Sequence, residues 1–300
     1  MNLELNRLFS EFSAFFPPNE ENISLFNKRV DNLGCERSII GKSILGRDIN
    51  LFRMGCGHKS IIFVGAHHGS EYITASVLHF LIYYLSVSDG KELGICISHL
   101  FSSYTVFIVP LLNPDGVSLC LEGAKPSPLF KRQMNMSAGQ GFSKWQANAR
   151  GVDLNHNYSF GFREYKAIEA ERGIIPGRSL YSGEYPESEP ESRSLANLVR
   201  AVAPSLIVSL HSQGEEIYYS PRDAGVSALA NYTAELLGYR ASVPEGTAAF
   251  GGLCDYTGGE LNIPSMTLEI GKGENPLPGY LLPYLCKSLI PTLLKLIMTA

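Results

Sequence analysis

Hydrophobic and polar positions change period along this chain in a way that separates strands from helices. Residues 60–66, SIIFVGA, form a continuous apolar run short enough for a buried strand, and SEYITASVLHFLIYYL from Ser70 to Leu85 reads as an amphipathic to fully buried helix. Upstream, the segment MNLELNRLFSEFSAFF predicts a first helix over about residues 2–16, and SIIGKSILGRDINLFRMG predicts two strands turning around Gly46. Downstream, TVFIVPLLN is a strand followed by a turn at Asn113 to Gly116, NPDG. Residues 117–150 lack a clear period and predict a long irregular excursion over a site. YPESEPESRSLANLVRAVAP predicts a helix with proline and carboxylates at its start, where the helix dipole favours them. SLIVSLHSQG, EEIYYS and SMTLEIG add three strands, and GFREYKAIEAERG reads as a solvated helix or loop. The expectation is one α/β domain over residues 1–300, a central mixed β-sheet flanked by helices with no separate second domain.

Composition leaves that picture intact. An apolar share of 45% with 18% charged residues is ordinary for a water-soluble globule, and a formal charge of −4 without a basic stripe argues against nucleic acid as a partner. The N-terminal segment lacks a basic leader and a small-residue cleavage site, so it reads as a helix and not as a signal peptide. No apolar run reaches bilayer-spanning length, since His79 interrupts the first long one and Pro283, Lys287, Pro291 and Lys295 interrupt the last. Six cysteines without a CxxC pair fit reduced thiols, and the protein is expected in the cytoplasm without a membrane partner.

The chemistry sits at the ends of the apolar runs. His67, His68 and Glu71 fall at the junction of the first buried strand with its helix, and residues three or four apart share a helical face. Either histidine could therefore join Glu71 on one ion. His211 closes one strand and Glu269 another, positions where α/β sheets carry their sites. Two histidines and a glutamate form a known donor set for catalytic zinc, with a fourth position left for water. There is no GxSxG elbow for a serine hydrolase, and no cysteine stands in a motif with histidine.

In order and flanks, HxxE, NPDG, GVDLNHN, the SEPES segment, the strand ending LHS and the strand ending LEIG resemble the zinc carboxypeptidase family, from about Gly41 to Gly271. The wording ARGVDLNHNY with SEPES resembles most its bacterial branch that cleaves γ-D-glutamyl-diaminopimelate bonds in peptidoglycan peptides. The resemblance implies His68, Glu71 and His211 as ligands of one Zn2+ per chain, selecting His68 over His67. It implies Glu269 as the general base that takes a proton from the attacking water. It also implies an arginine for the oxyanion, for which Arg150 and Arg132 compete, although Gln146 follows Trp145 where a basic residue is expected. Asp153 is expected to hydrogen-bond a ligand histidine. Asn155, His156 and Cys254 are the implied substrate-binding residues. His156 stands where digestive relatives carry a carboxylate-clamping arginine, and Thr247 stands at the place of their mobile tyrosine. Gly251 and Gly252 would let the backbone come close to a bound peptide.

The resulting expectation is a zinc metallopeptidase acting on a small cell-wall peptide at the γ-D-Glu–meso-diaminopimelate amide. The alternatives are a general metallocarboxypeptidase, a zinc deacylase, or a catalytically dead binding module, the last disfavoured by the intact quartet His68, Glu71, His211 and Glu269.

Overall fold

A computed structural model describes residues 3–137, 139–220 and 224–299. Eight strands form one mixed sheet: β1 (Glu36–Lys42), β2 (Asp48–Met54), β3 (Lys59–Gly65), β4 (Tyr104–Val109), β5 (Leu206–His211), β6 (Glu216–Tyr219), β7 (Arg240–Ser242) and β8 (Ser265–Glu269). Their order is β1-β2-β4-β3-β5-β8-β6-β7. The centre, β4-β3-β5-β8, is parallel, whereas β1, β2 and β6 join antiparallel.

Alternation along the central strands assigns their side chains to two layers, because successive residues of a strand point to opposite faces. Ile61 and Phe63 of β3 and Leu206, Val208 and Leu210 of β5 enter one core, packed with the helices Leu3–Phe12, Tyr72–Val87 and Leu282–Thr299. Ile62, Val64 and Ile207 enter the other, with Leu195 and Val199 from the helix Pro190–Val202. Both faces are covered, which is why these strands are apolar throughout. Helix Tyr72–Val87 is buried from Ile73 to Leu85, so its apolar character runs all round rather than along one stripe.

Four expectations need correction. NPDG is not a free turn: the Asn113 side chain accepts from Gly116 N at 2.9 Å and caps the helix Pro114–Glu122, with Pro114 in its first turn. The excursion after it is partly helical, from Phe130 to Ser137. GFREYKAIEAERG is a helix over Phe162–Arg172, but its Glu169 is buried and accepts from Ser182 N. Finally, Gly279–Thr299 is long and apolar enough by composition to cross a membrane; here Leu285, Leu289, Leu293 and Ile297 bury one side of it in the core. Its lysines and prolines interrupt the run in sequence without interrupting the helix.

Candidate metal centre

β3 leads out of the sheet core through Ala66 into a single turn of 3-10 helix, Gly69–Glu71, that enters the helix Tyr72–Val87. This places His68 and Glu71 above the C-terminal end of β3. His211 is the last residue of β5, which is β3's parallel neighbour, and Glu269 is its register partner at the end of β8. The chain leaves β3 for β4 on one side and returns to β5 on the other, the topological switch that opens a crevice at strand ends.

The donors converge there. His68 Nδ1 lies 2.9 Å from Glu71 Oε1, and His211 Nδ1 lies 3.0 Å from Glu71 Oε2. One ligand atom from each of the three residues falls within 4.8 Å of the other two. The opposite nitrogen of the first ring, His68 Nε2, meets Asp153 Oδ1 at 3.0 Å, a carboxylate–histidine pairing that fixes a ligand ring's tautomer and orientation. Glu71 also accepts from Ser212 N at 3.2 Å. His67 is turned away: its Nε2 meets the Tyr158 hydroxyl at 3.1 Å, and its ring stacks on His211 with centroids 5.1 Å apart. Of the two histidines that sequence spacing left open, only His68 faces Glu71.

Electrostatics suit a cation. Burial works against charge at Glu71, yet His68 and His211 hold its carboxyl down at about 2. Burial likewise opposes a proton on His68, but Glu71 and Asp153 hold it well above the ordinary imidazole value. Burial and the nearby Glu71 push Glu269 well above the usual carboxylate range. Two imidazoles and a carboxylate, with Glu71 and His211 buried, His68 part-exposed and a second carboxylate bracing its ring, match the donor chemistry of a zinc site. Ions and protons compete for these atoms, so metal binding here releases protons.

A cavity of about 230 Å³ lies against the cluster. Asn155, His156 and Cys254 line it, as do Gln146 and Tyr218, two residues sequence reasoning did not place in the site. Asn155 Oδ1 accepts from Leu253 N at 3.2 Å. Cys254 Sγ meets Thr267 Oγ1 at 3.2 Å, and burial pushes its thiol up to about 11, so it is a neutral wall. Thr247 and Gly252 also line this cavity.

The structure does not bring Arg150 into the cavity. Its Nε donates to Glu189 Oε2 at 3.0 Å, and Glu189 is also held by Asn148 Nδ2 at 2.7 Å. The two carboxylates of SEPES are thus more than helix-start charges: Glu191 accepts from Ile44 N at 3.1 Å, and both are buried. Arg132 does not line the cavity either; the half-buried Gln146 does, directly after Trp145. The signal was present in the sequence, as the departure at Gln146. A larger cavity of about 840 Å³ lies elsewhere, beside the β1–β2 turn, and contains none of these groups. Its Arg37, Lys42 and Arg47 are paired with Asp31, Asp48 and Asp115.

Comparison with known proteins agrees with this geometry. The zinc carboxypeptidase family model, peptidase family M14, matches residues 28–293, and the chain belongs to that family. Gamma-D-glutamyl-L-diamino acid endopeptidase 1 of Lysinibacillus sphaericus is 29% identical over 246 residues, which are 80% of this chain and 61% of that protein. The chain therefore spans about three fifths of that relative's length. Among solved structures, thrombin activatable fibrinolysis inhibitor superposes with a TM-score of 0.70 at 19% identity, covering 93% of this chain and 74% of that one. Murein-tripeptide amidase MpaA from Escherichia coli O157 superposes with a TM-score of 0.57 at 20% identity, covering 87% and 91%. Both superpositions show the shared fold.

Proposed function

We propose that this chain is a zinc-dependent metallopeptidase that hydrolyses an amide bond in peptidoglycan-derived peptides, the γ-D-Glu–meso-diaminopimelate bond, with one zinc ion per chain. The observation that carries the proposal is the convergence of His68, Glu71 and His211 at the ends of two parallel strands, with Glu269 in register beside His211. When bound, zinc supplies Lewis acidity for the amide carbonyl and for a water.

The remaining chemistry belongs to the side chains. Glu269 takes a proton from the attacking water and hands it to the leaving nitrogen, so no covalent link to the enzyme forms. Asp153 keeps the His68 ring in place through Nε2. Gln146 lines the cavity and offers a neutral amide donor toward developing negative charge, in the place left by Arg150. Support for the cell-wall substrate comes from the sequence relative named for a γ-D-glutamyl-diamino acid bond. A small wall peptide as partner and a cytoplasmic site of action belong to the same proposal.

The test strips the purified protein of metal, returns one equivalent of zinc, and offers L-Ala-γ-D-Glu-meso-diaminopimelate beside a peptide with a hydrophobic C-terminus. Zinc-dependent release of diaminopimelate from the first alone is the expected result. Release from the second alone would make the protein a general carboxypeptidase, and no release from either would overturn the peptidase reading.

A further inference from the structure

His156 occupies the place where an arginine would clamp a carboxylate, but its hydrogen bonds give it the opposite polarity. Its Nδ1 lies 3.0 Å from the Phe250 carbonyl oxygen, which can only accept, so Nδ1 carries the proton. A neutral imidazole has one donor and one acceptor nitrogen, and with the donor committed the remaining atom, Nε2, is an acceptor. The ring is held flat against Tyr165, with centroids 4.0 Å apart and planes 11° from parallel, and the Tyr165 hydroxyl is itself anchored on the Leu180 carbonyl. Burial outweighs the attraction of Asp153 and holds the imidazole below its ordinary value, in agreement with the neutral form. Next to it in the same cavity, Asn155 Oδ1 is committed to Leu253 N, which leaves its Nδ2 as donor.

We propose that His156 is a specificity residue whose Nε2 accepts a hydrogen bond from an amine on the departing part of the substrate, while Asn155 donates to an acceptor beside that amine. The pair reads an amino group next to a carboxylate, the free end of a diamino acid. An ordinary C-terminal residue brings a carboxylate for Asn155 but no amine for His156. The proposal rests on the peptidase reading for the name of its substrate, whereas the polarity of His156 stands on the ring's own contacts.

Two measurements test it. The first is the 15N spectrum of His156 in the folded protein, identified by its loss in His156→Gln: the Nδ1–H form is expected, and the Nε2–H form overturns the proposal. The second is equilibrium binding of diaminopimelate and of pimelate, the same dicarboxylate without either amine, to the zinc-loaded protein. Diaminopimelate is expected to bind at least tenfold tighter, and His156→Arg should erase that gap while zinc content stays at the parent's value. Equal binding of the two, binding of neither, or a gap that survives His156→Arg overturns it. Selective binding of diaminopimelate without cleavage of its γ-glutamyl amide would remove the proposed activity and leave this inference standing. Equal cleavage of γ-glutamyl-diaminopimelate and γ-glutamyl-2-aminopimelate would do the reverse.

Discussion

Gly69 lies between His68 and Glu71 of the candidate metal site, and the structure leaves no room for a side chain on it. A methyl group built there would lie 2.4 Å from the backbone C and O of Gly116 and 2.7 Å from the Trp145 carbonyl oxygen. These are backbone atoms, so no side chain can rotate away, and the strand-to-helix turn must move off its neighbours by about 1 Å to restore ordinary contact. The turn is also tied down, since Gly69 N donates to the Gln146 carbonyl at 2.9 Å and Asn113 Nδ2 donates to the His67 carbonyl at 2.9 Å. Overpacking of this kind costs about 1–3 kcal/mol. In a chain of this size that lowers Tm by roughly 2–6 °C. The functional loss should be larger in proportion, because a metal site tolerates only about 0.2 Å of ligand displacement. Gly69→Ala is therefore expected to unfold a few degrees early and to bind zinc at least tenfold more weakly. Gly177→Ala is the control: its nearest atom would be at 3.5 Å, so it should match the parent or gain slightly in stability. Differential scanning calorimetry and zinc titration on the three proteins measure both effects. A Gly69→Ala protein with the parent's Tm and zinc affinity would refute the packing account of how this turn aims its ligands.

Other perturbations separate the roles of neighbouring groups. Asp153→Asn removes the carboxylate on His68 Nε2 and should weaken zinc about 10–100-fold in a competition titration, with the fold kept. Gln146→Ala should lower kcat by about 100-fold, the order found for a single lost oxyanion donor, whereas Arg150→Met should leave kcat near the parent's value and cost stability through Glu189; the opposite pattern would return the oxyanion role to Arg150. Burial pushes Glu191 up to about 7, above its ordinary 4.5, so the native state keeps a proton that the unfolded chain has released across that window. Its contribution to stability is intact below about pH 4.5 and falls as pH rises to 7, by roughly 3 kcal/mol. Glu191→Gln, which carries no charge, should accordingly gain on the parent between pH 5 and pH 8 in urea unfolding, and a constant difference would refute the assignment.

What could be read from the sequence was whatever burial writes into local pattern. β3, β5 and β8 are apolar because both sheet faces are covered, and a histidine or glutamate closing such a run stands out against it. That contrast makes His211 and Glu269 visible, while their roles, and the choice of His68 over His67 beside Glu71, are what the resemblance to the zinc carboxypeptidase family implies. Pairings between distant segments leave no such period. Glu189 looks like a helix-start carboxylate until Arg150 and Asn148, 39 and 41 residues away, are seen to hold it. The same holds for His156: its residue type suggests a donor to a carboxylate, and only the Phe250 carbonyl, 94 residues on, commits that donor elsewhere. The apolar length of the C-terminal helix is hidden for the converse reason, since its lysines and prolines interrupt hydropathy in sequence but fall on a helix whose apolar side is buried.

The most direct test of the central assignment measures zinc content and turnover together in the parent, His211→Ala and Glu269→Gln after dialysis against a chelator and return of one equivalent of zinc. The account predicts one tightly held zinc and diaminopimelate release for the parent, no tightly held zinc for His211→Ala, and one zinc without turnover for Glu269→Gln. Parent-like zinc affinity in His211→Ala, or parent-like turnover in Glu269→Gln, would contradict it.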